Sequence, residues 1–267
     1  MKRLEIYCVT DKKLPLLEET QINLCSVNER ISDIKYIKSN IKNNIFYKEK
    51  NYSELTFHYW YWKNILDENE DKWIGFSQKR RHWVKQNSIS EQVNHNNFLD
   101  HLILKPDPSW EKFESVICQP IDVSGFKKMK LIKRGWKNVL KDPSLLFDKN
   151  KQTIKVHFDM SHGYGNLDKA IDKLEGDEKE KFRKFVNSST KYNPHIMVIS
   201  KPKILNRWFS SLFKWLSDCE EVFGLENLKG YDQQRLYAYL AERYLSFWFK
   251  NHTKSIEWPW TFYDASK

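Results

Sequence analysis

The sequence predicts an α/β fold with a mixed central sheet flanked by helices. Two observations lead there. Short apolar, β-branched runs such as RLEIYCVT, KWIGFS and ESVICQPIDV alternate with longer stretches of helical periodicity. The chain has 267 residues, 40% of them hydrophobic and 30% charged, which suits a globular domain with a sizeable core. No internal repeat, low-complexity tract or interdomain linker interrupts it, so one domain over residues 1–267 is the economical expectation.

In order, RLEIYCVT reads as a first strand that exits through Thr10, Asp11 and Lys12. Residues 14–51 read as loop with short helical or strand pieces. YSELTFHYWYWKNIL reads as a helix with Ser53 as N-cap, Glu54 in the first turn, and Leu55, Tyr59, Trp62 and Leu66 on one face. KWIGFS is the next strand. EQVNHNNFLDHLIL reads as a helix ended by Pro106 and Pro108, and ESVICQPIDV as a short strand leaving at Pro120. Residues 126–151 read as a basic loop with one helical piece near Trp136. QTIKVHFDMSHGYGNLDKAIDKLEG passes from an extended piece through a glycine loop into a helix started by Asn166 or Asp168. DEKEKFRKFVNSS is an amphipathic helix, and YNPHIMVISKPKI is a strand around Ile196–Ile199. LNRWFSSLFKWLSDCEEVF follows as a helix with Leu205, Phe209, Leu212, Phe213 and Leu216 inward. GYDQQRLYAYLAERYLSFWFKNH is a long helix capped by Asp232, and a short Trp-rich tail closes the chain.

Composition narrows the function classes. No apolar run approaches the ~20 residues that span a bilayer, and the apolar part of MKRLEIYCVT is too short for a signal peptide. The expected location is the cytoplasm, with peripheral attachment at the inner face of the cell membrane as a further expectation. Four dispersed cysteines without a C-x-x-C pair point to reduced thiols rather than zinc. The net charge of +10 fits phosphorylated substrates, acidic headgroups or nucleic acid, and it fits plain lysine-rich drift equally well. The chain has no GxGxxG, GxxxxGK[ST] or G-x-S-x-G, so dehydrogenase, kinase, P-loop and α/β-hydrolase readings lose their main support. No nucleic-acid motif appears either.

Two constellations carry chemistry. In DKWIGFSQKRRHWV an apolar strand ends in Gln78, Lys79, Arg80 and Arg81. No Asp-x-Asp pair, the usual holder of a divalent cation against a diphosphate, stands at that strand end. Arginine offers a permanent charge and a planar fork for phosphate oxygens, so the cluster can replace a metal. A solvated basic loop is the alternative. In HFDMSHGYGN, His157, Asp159 and His162 surround a glycine loop, as a proton acceptor with acceptor-binding groups would, although most isolated histidines are surface or satisfied core residues.

Several stretches together resemble one bacterial family. YCVTDKK resembles its Y-V-V-T-H-K opening, and YSELTFHYWYWKN its E-L-T-x-x-Y-W-x-W-K-N helix. WIGFSQKRRHW is similar to its Y-I-G-L-x-H-Y-R-R-Y-F segment, YNPHIMVISK to its Y-N-M-F-I-M strand, and QQRLYAYLAERYLSFWF to its R-x-x-G-F-L-A-E-R-L-L-N-I-W-L helix. This is a domain-of-unknown-function family of capsular and exopolysaccharide biosynthesis glycosyltransferases. The matches run in order from about residue 3 to 250 and are weakest over 85–190. Three departures stand out. Gln78-Lys79 replaces His-Tyr, Asp11 replaces a histidine, and the glycine expected after Arg235 is missing, Leu236 and Tyr237 following instead.

The resemblance implies a GT-A-like, Rossmann-like fold and a glycosyltransferase that takes a nucleotide-sugar donor, a UDP-sugar first of all. Its acceptor would be a glycan or a lipid-linked glycan, with no nucleic acid as partner. It puts Thr10 and Asp11 near the nucleotide and Gln78, Arg80 and Arg81 near the diphosphate. Asn193 counts with the donor-binding residues and also, with His162 and Asp232, lines the acceptor side. Asp159, His162 and Asp232 are the candidate catalytic residues. No resident metal is assigned, and dependence on a divalent ion is left open. The Gln78-Lys79 departure motivates the alternative, a glycan-binding or assembly protein on the same fold.

Overall fold

A computed structural model describes residues 3–27, 29, 31–90 and 92–266. Glu91, read as the start of a helix, and the terminal Met1, Lys2 and Lys267 lie outside the described residues. The strands are β1 (Arg3–Thr10), β2 (Asn23–Ser26), β3 (Tyr36–Lys38), β4 (Lys72–Gln78), β5 (Arg81–Trp83), β6 (Ser115–Cys118), β7 (Ile121–Asp122), β8 (Lys191–Tyr192), β9 (Val198–Ser200), β10 (Ser255–Trp258) and β11 (Trp260–Phe262). The α-helices are α1 (Glu49–Tyr52), α2 (Leu55–Asn64), α3 (Phe98–His101), α4 (Lys128–Lys141), α5 (Ile154–His162), α6 (Asn166–Ile171), α7 (Gly176–Ser188), α8 (Pro202–Phe223), α9 (Tyr231–Gln234) and α10 (Leu236–His252). Two compact units result. The first takes Met1–Gln119, His195–Ser211 and Trp248–Lys267, and the second takes Pro120–Pro194 and Leu212–Phe247.

The first unit is built on a mixed sheet in the order β10-β6-β9-β4-β1-β2-β3, with β5 and β11 branching from β4. Strands β4, β1, β2 and β3 run parallel, and β9 lies antiparallel between β4 and β6. Both faces are covered, as parallel strands require. On one face Ile6, Cys8, Trp73, Trp110 and Ile199 join a buried cluster. On the other, Tyr7 and Phe76 pack on Phe57 and Tyr61 of α2, with ring centroids 4.8–6.5 Å apart. Gly75 is needed in β4 because a Cβ there would stand 2.9 Å from Ile199 Cγ1 on the neighbouring strand.

Helix α2 departs from its expected face. Leu55, Phe57, His58, Trp60 and Tyr61 are buried, while Tyr59 and Trp62 are half-covered. Ser53 does not cap it. Ser53 has φ +52 and closes α1, its amide donating to Glu49 O, and Glu54 occupies the cap position without capping the helix through its side chain. The helix read over 91–104 shrinks to the single turn of α3, because Asn94 and Asn97 bond to nearby backbone and favour turns over helix. Pro108 opens a 3₁₀ turn capped by Asp107 instead of ending a helix.

In the second unit α4–α7 and the inner parts of α8 and α10 enclose an aromatic core, with Phe182, Trp215, Tyr244 and Phe247 at centroid separations of 4.6–6.1 Å. Two expectations are revised here. The basic stretch read as loop with a helical piece near Trp136 is helical over Lys128–Lys141, α4, with a kink at Gly135; Leu131, Gly135 and Asn138 are its buried residues. The stretch read as extended from Gln152 is α5: Ile154, Phe158 and His162 recur every fourth residue and outweigh the β-branched Thr153, Ile154 and Val156. All four cysteines are free and buried, and burial raises the Cys8 thiol to about 12.

Candidate functional site

The carboxyl ends of the parallel strands form one row. Thr10 pairs in register with Ser26, and Ser26 with Lys38. Val9 pairs with Gln78, so Asp11 and Lys79 emerge side by side. This edge is where open α/β sheets bind ligands. A cleft of about 200 Å³ lies on it, lined by Ser26, Glu29, Lys38, Asn40 and Phe46. Sequence reading passed over all five. Their signal is positional and appears only once β2 and β3 are known to end there.

At the neighbouring corner every cation is already held. Lys79 Nζ donates to Asp11 Oδ1. Burial opposes the Asp11 charge, but the Lys79 hydrogen bond and charge prevail and lower its pKa. Arg80 Nε donates to Asp264 Oδ2 at 2.9 Å. Hydrogen bonds from Ser266, opposed by some burial and aided by Arg80, hold the Asp264 carboxyl near 2. Arg81 lies 4.8 Å over the Phe262 ring, as the pairing of β5 with β11 dictates. The Thr10 hydroxyl turns inward, donating to Lys12 O at 2.6 Å and accepting from Lys12 N at 3.0 Å. Gln78 ends β4 half-buried. Beneath the corner, burial pushes His82 down to about 4, and its Nε2 lies 3.2 Å from both Lys79 O and Tyr263 O. Thr10, Asp11, Gln78, Arg80 and Arg81 are thus brought together. Lys79 as a paired group and Asp264 were missed. The alternation in SIEWPWTFY was the signal that the tail returns as strand.

The residues expected on the acceptor side all belong to the second unit. The Asp159 side chain is fully buried, accepting from Lys155 Nζ at 2.7 Å and from the Gly165 amide at 3.0 Å. It fixes the glycine loop in which Gly163 sits at φ +102, a backbone conformation that would strain any residue with a side chain. His162 stacks on Tyr239 at 3.7 Å and approaches the Asp232 carbonyl through Nδ1 at 3.1 Å. Burial and then the Arg243 charge push its pKa down to about 3, so it is neutral at physiological pH. Asp232 meets His162 through backbone. Its own side chain belongs to an exposed residue inside α9, where it does not cap α10. Asn193 is buried, its Oδ1 accepting from Ser246 Oγ at 2.7 Å and its amide donating back at 3.0 Å.

Sequence reading also missed Arg243. It is buried, ion-paired with Glu242, 4.5 Å over the Tyr192 ring and hydrogen-bonded to His157 Nδ1 at 3.2 Å. It is the arginine of the A-E-R stretch. Burial and Arg243 lower His157 to about 3.

The donor set was tested for a metal. Among the described residues no three His, Cys, Asp or Glu groups are placed to hold an ion. At the strand ends Asp11 and Asp264 are each engaged by a cation. These side chains do not fit a resident divalent cation. No helix among the described residues is long and apolar enough to cross a membrane.

Residues 5–254 match the family described as Domain of unknown function (DUF4422). No curated protein sequence matches the chain. Among solved structures, the apo form of the WbbM bifunctional glycosyltransferase is similar in fold, with a TM-score of 0.74 at 18% identity over 98% of this chain. This chain spans 45% of that protein's length.

Proposed function

The chain belongs to the DUF4422 family, and from that premise we propose that it is a glycosyltransferase of surface-polysaccharide biosynthesis, moving a sugar from a nucleotide-sugar donor to a glycan or lipid-linked glycan. The observation that carries this reading is the row of strand ends in which a cleft adjoins a corner of paired cations. A nucleoside lies in the cleft between Lys38, Asn40 and Phe46, and a UDP-sugar is the first donor to test. The diphosphate takes Lys79 and Arg80 from their carboxylates. As the donor bond breaks, negative charge grows on the leaving diphosphate, and these cations stabilise it. Asp11 and Asp264 keep the cations aimed while the site is empty of donor.

Of the three residues expected to serve as base, Asp159 and His162 are committed to the second unit's interior. Asp232 is exposed on the second unit and is the acceptor-side candidate that the family resemblance offers. Asn193 is buried and bonded to the Ser246 hydroxyl.

Calorimetric titration with UDP, GDP and CMP, with and without manganese, tests the reading. One nucleotide should bind regardless of metal, and Arg80→Ala or Lys79→Ala should weaken it by roughly tenfold or more. Tyr61→Phe, a change in the sheet's aromatic core, should leave it unchanged. No binding by the parent, or equal binding by both cation variants, would return the corner to a solvated basic loop and favour the glycan-binding alternative.

A further inference from the structure

Helix α4 presents an apolar stripe to solvent. Met129 and Leu140 are 74% and 72% exposed, and Ile132 and Trp136 are 49% and 52% exposed. Met129 and Ile132 share one side of the piece before the Gly135 kink, and Trp136 and Leu140 share one side of the piece after it. The side that packs on the unit is a different one, made by Leu131, Gly135 and Asn138. Phe147, 78% exposed, extends the patch, with Lys128 Nζ 4.5 Å over its ring. A contiguous exposed apolar patch of this kind marks an interaction surface.

The charge around the stripe is of one sign. Residues 127–141 contain six Lys and one Arg and no acid. All seven cations are exposed, and none is in an ion pair among the described residues. Elsewhere in the second unit the pattern reverses: Lys155, Lys173, Lys179 and Arg183 each reach a carboxylate. Lys137 and Lys141 both lean over the Tyr164 ring, at 5.2 and 5.3 Å, which gathers two ammonium groups beside the stripe.

We propose that α4 seats this chain on an anionic bilayer surface, with Met129, Ile132, Trp136 and Leu140 in the headgroup–acyl boundary and the flanking lysines on lipid phosphates. Apolar side chains with a tryptophan, long cationic stems on either side, and a helix lying flat on its own protein are the chemistry of an interfacial anchor. Charge complementarity selects the occupant: seven unpaired cations oppose a second copy of the same face and favour a negative surface. The anchor stands apart from the nucleotide reading, since none of its residues lies at the strand ends.

Vesicle flotation tests it with the full chain. The parent should float with vesicles containing about a third phosphatidylglycerol, and bind pure phosphatidylcholine roughly tenfold more weakly or less. Met129→Ser with Trp136→Ser and Leu140→Ser should lose roughly tenfold at unchanged charge. Lys133→Glu with Arg134→Glu and Lys137→Glu should abolish flotation. All six positions face solvent, and circular dichroism checks that both variants fold. Equal binding to the two vesicle types, or parent-like flotation of either variant, would overturn the anchor. So would tighter binding to a DNA duplex than to anionic vesicles at the same salt, or a dimer in light scattering that the serine variant dissolves.

Discussion

The two groups of candidate residues differ in how they are satisfied. At the strand ends of the first unit, Lys79 and Arg80 are partly exposed and held by single carboxylates. In the second unit, Asp159, His162 and Asn193 are buried, with Asp159 held by Lys155, His162 Nδ1 close to the Asp232 carbonyl and Asn193 Oδ1 accepting from Ser246. An exposed ion pair of this kind is worth little to stability and can be exchanged for a ligand. A buried one cannot be opened without leaving an uncompensated charge. Residue type therefore nominates candidates, and the two groups differ in exposure: the first is partly open to solvent, the second is buried.

Four experiments would break or sharpen that contrast. The largest effect belongs to Asp159→Ala, expected to cost about 2–3 kcal/mol in denaturant unfolding by releasing the Gly165 amide and leaving Lys155 with Asp168 alone. Full stability with lost transfer activity would make Asp159 a reacting group and erase the distinction. Next is acid. His157 and His162 sit near 3 when folded, against about 6.5 when unfolded. The unfolded chain binds more protons between those values, so stability is full above about 6.5 and falls as pH drops toward 3. Each histidine removes roughly 1.4 kcal/mol per pH unit within that window. His162→Gln should flatten the acid limb in equilibrium unfolding at several pH values, and an unchanged limb would mean the ring is already protonated.

Third, Arg80→Ala should lower nucleotide affinity by about 1.4 kcal/mol or more while changing the unfolding midpoint little. A large loss of stability would move Arg80 into the architectural group. Smallest is Asp264→Asn, which releases Arg80 for phosphate. Its stability cost should stay within about 1 kcal/mol, and calorimetry should show nucleotide affinity kept or raised. A drop in affinity would mean that Asp264 aims the guanidinium rather than competing for it.

The sheet's left half was legible because β1 and β4 are apolar runs ending in polar clusters, and those clusters gave Thr10, Asp11, Gln78, Arg80 and Arg81. What the sequence could not display is pairing. That Lys79 meets Asp11 and Arg80 meets Asp264 depends on register and on a tail strand nearly two hundred residues away. The cleft at Ser26 and Lys38 was hidden for the same reason, since three- and four-residue strands carry too few alternations to be seen. Helix α5 was misread because the β-branched character of Thr153, Ile154 and Val156 masked its four-residue repeat. His162 and Asp159 then read as residues around a loop, when both lie buried in a helix.

Strand β9 also governs when the protein can fold during synthesis. It lies between β4 and β6, yet Val198 leaves the ribosome only after the whole 120–194 segment. A nascent chain can lay down β4, β1, β2 and β3 early, but β6 has no partner in the sheet until β9 and β10 arrive. Until then the open edge of β4 is a template for other chains. The interruption of one sheet by a second unit thus turns translation speed into a determinant of yield.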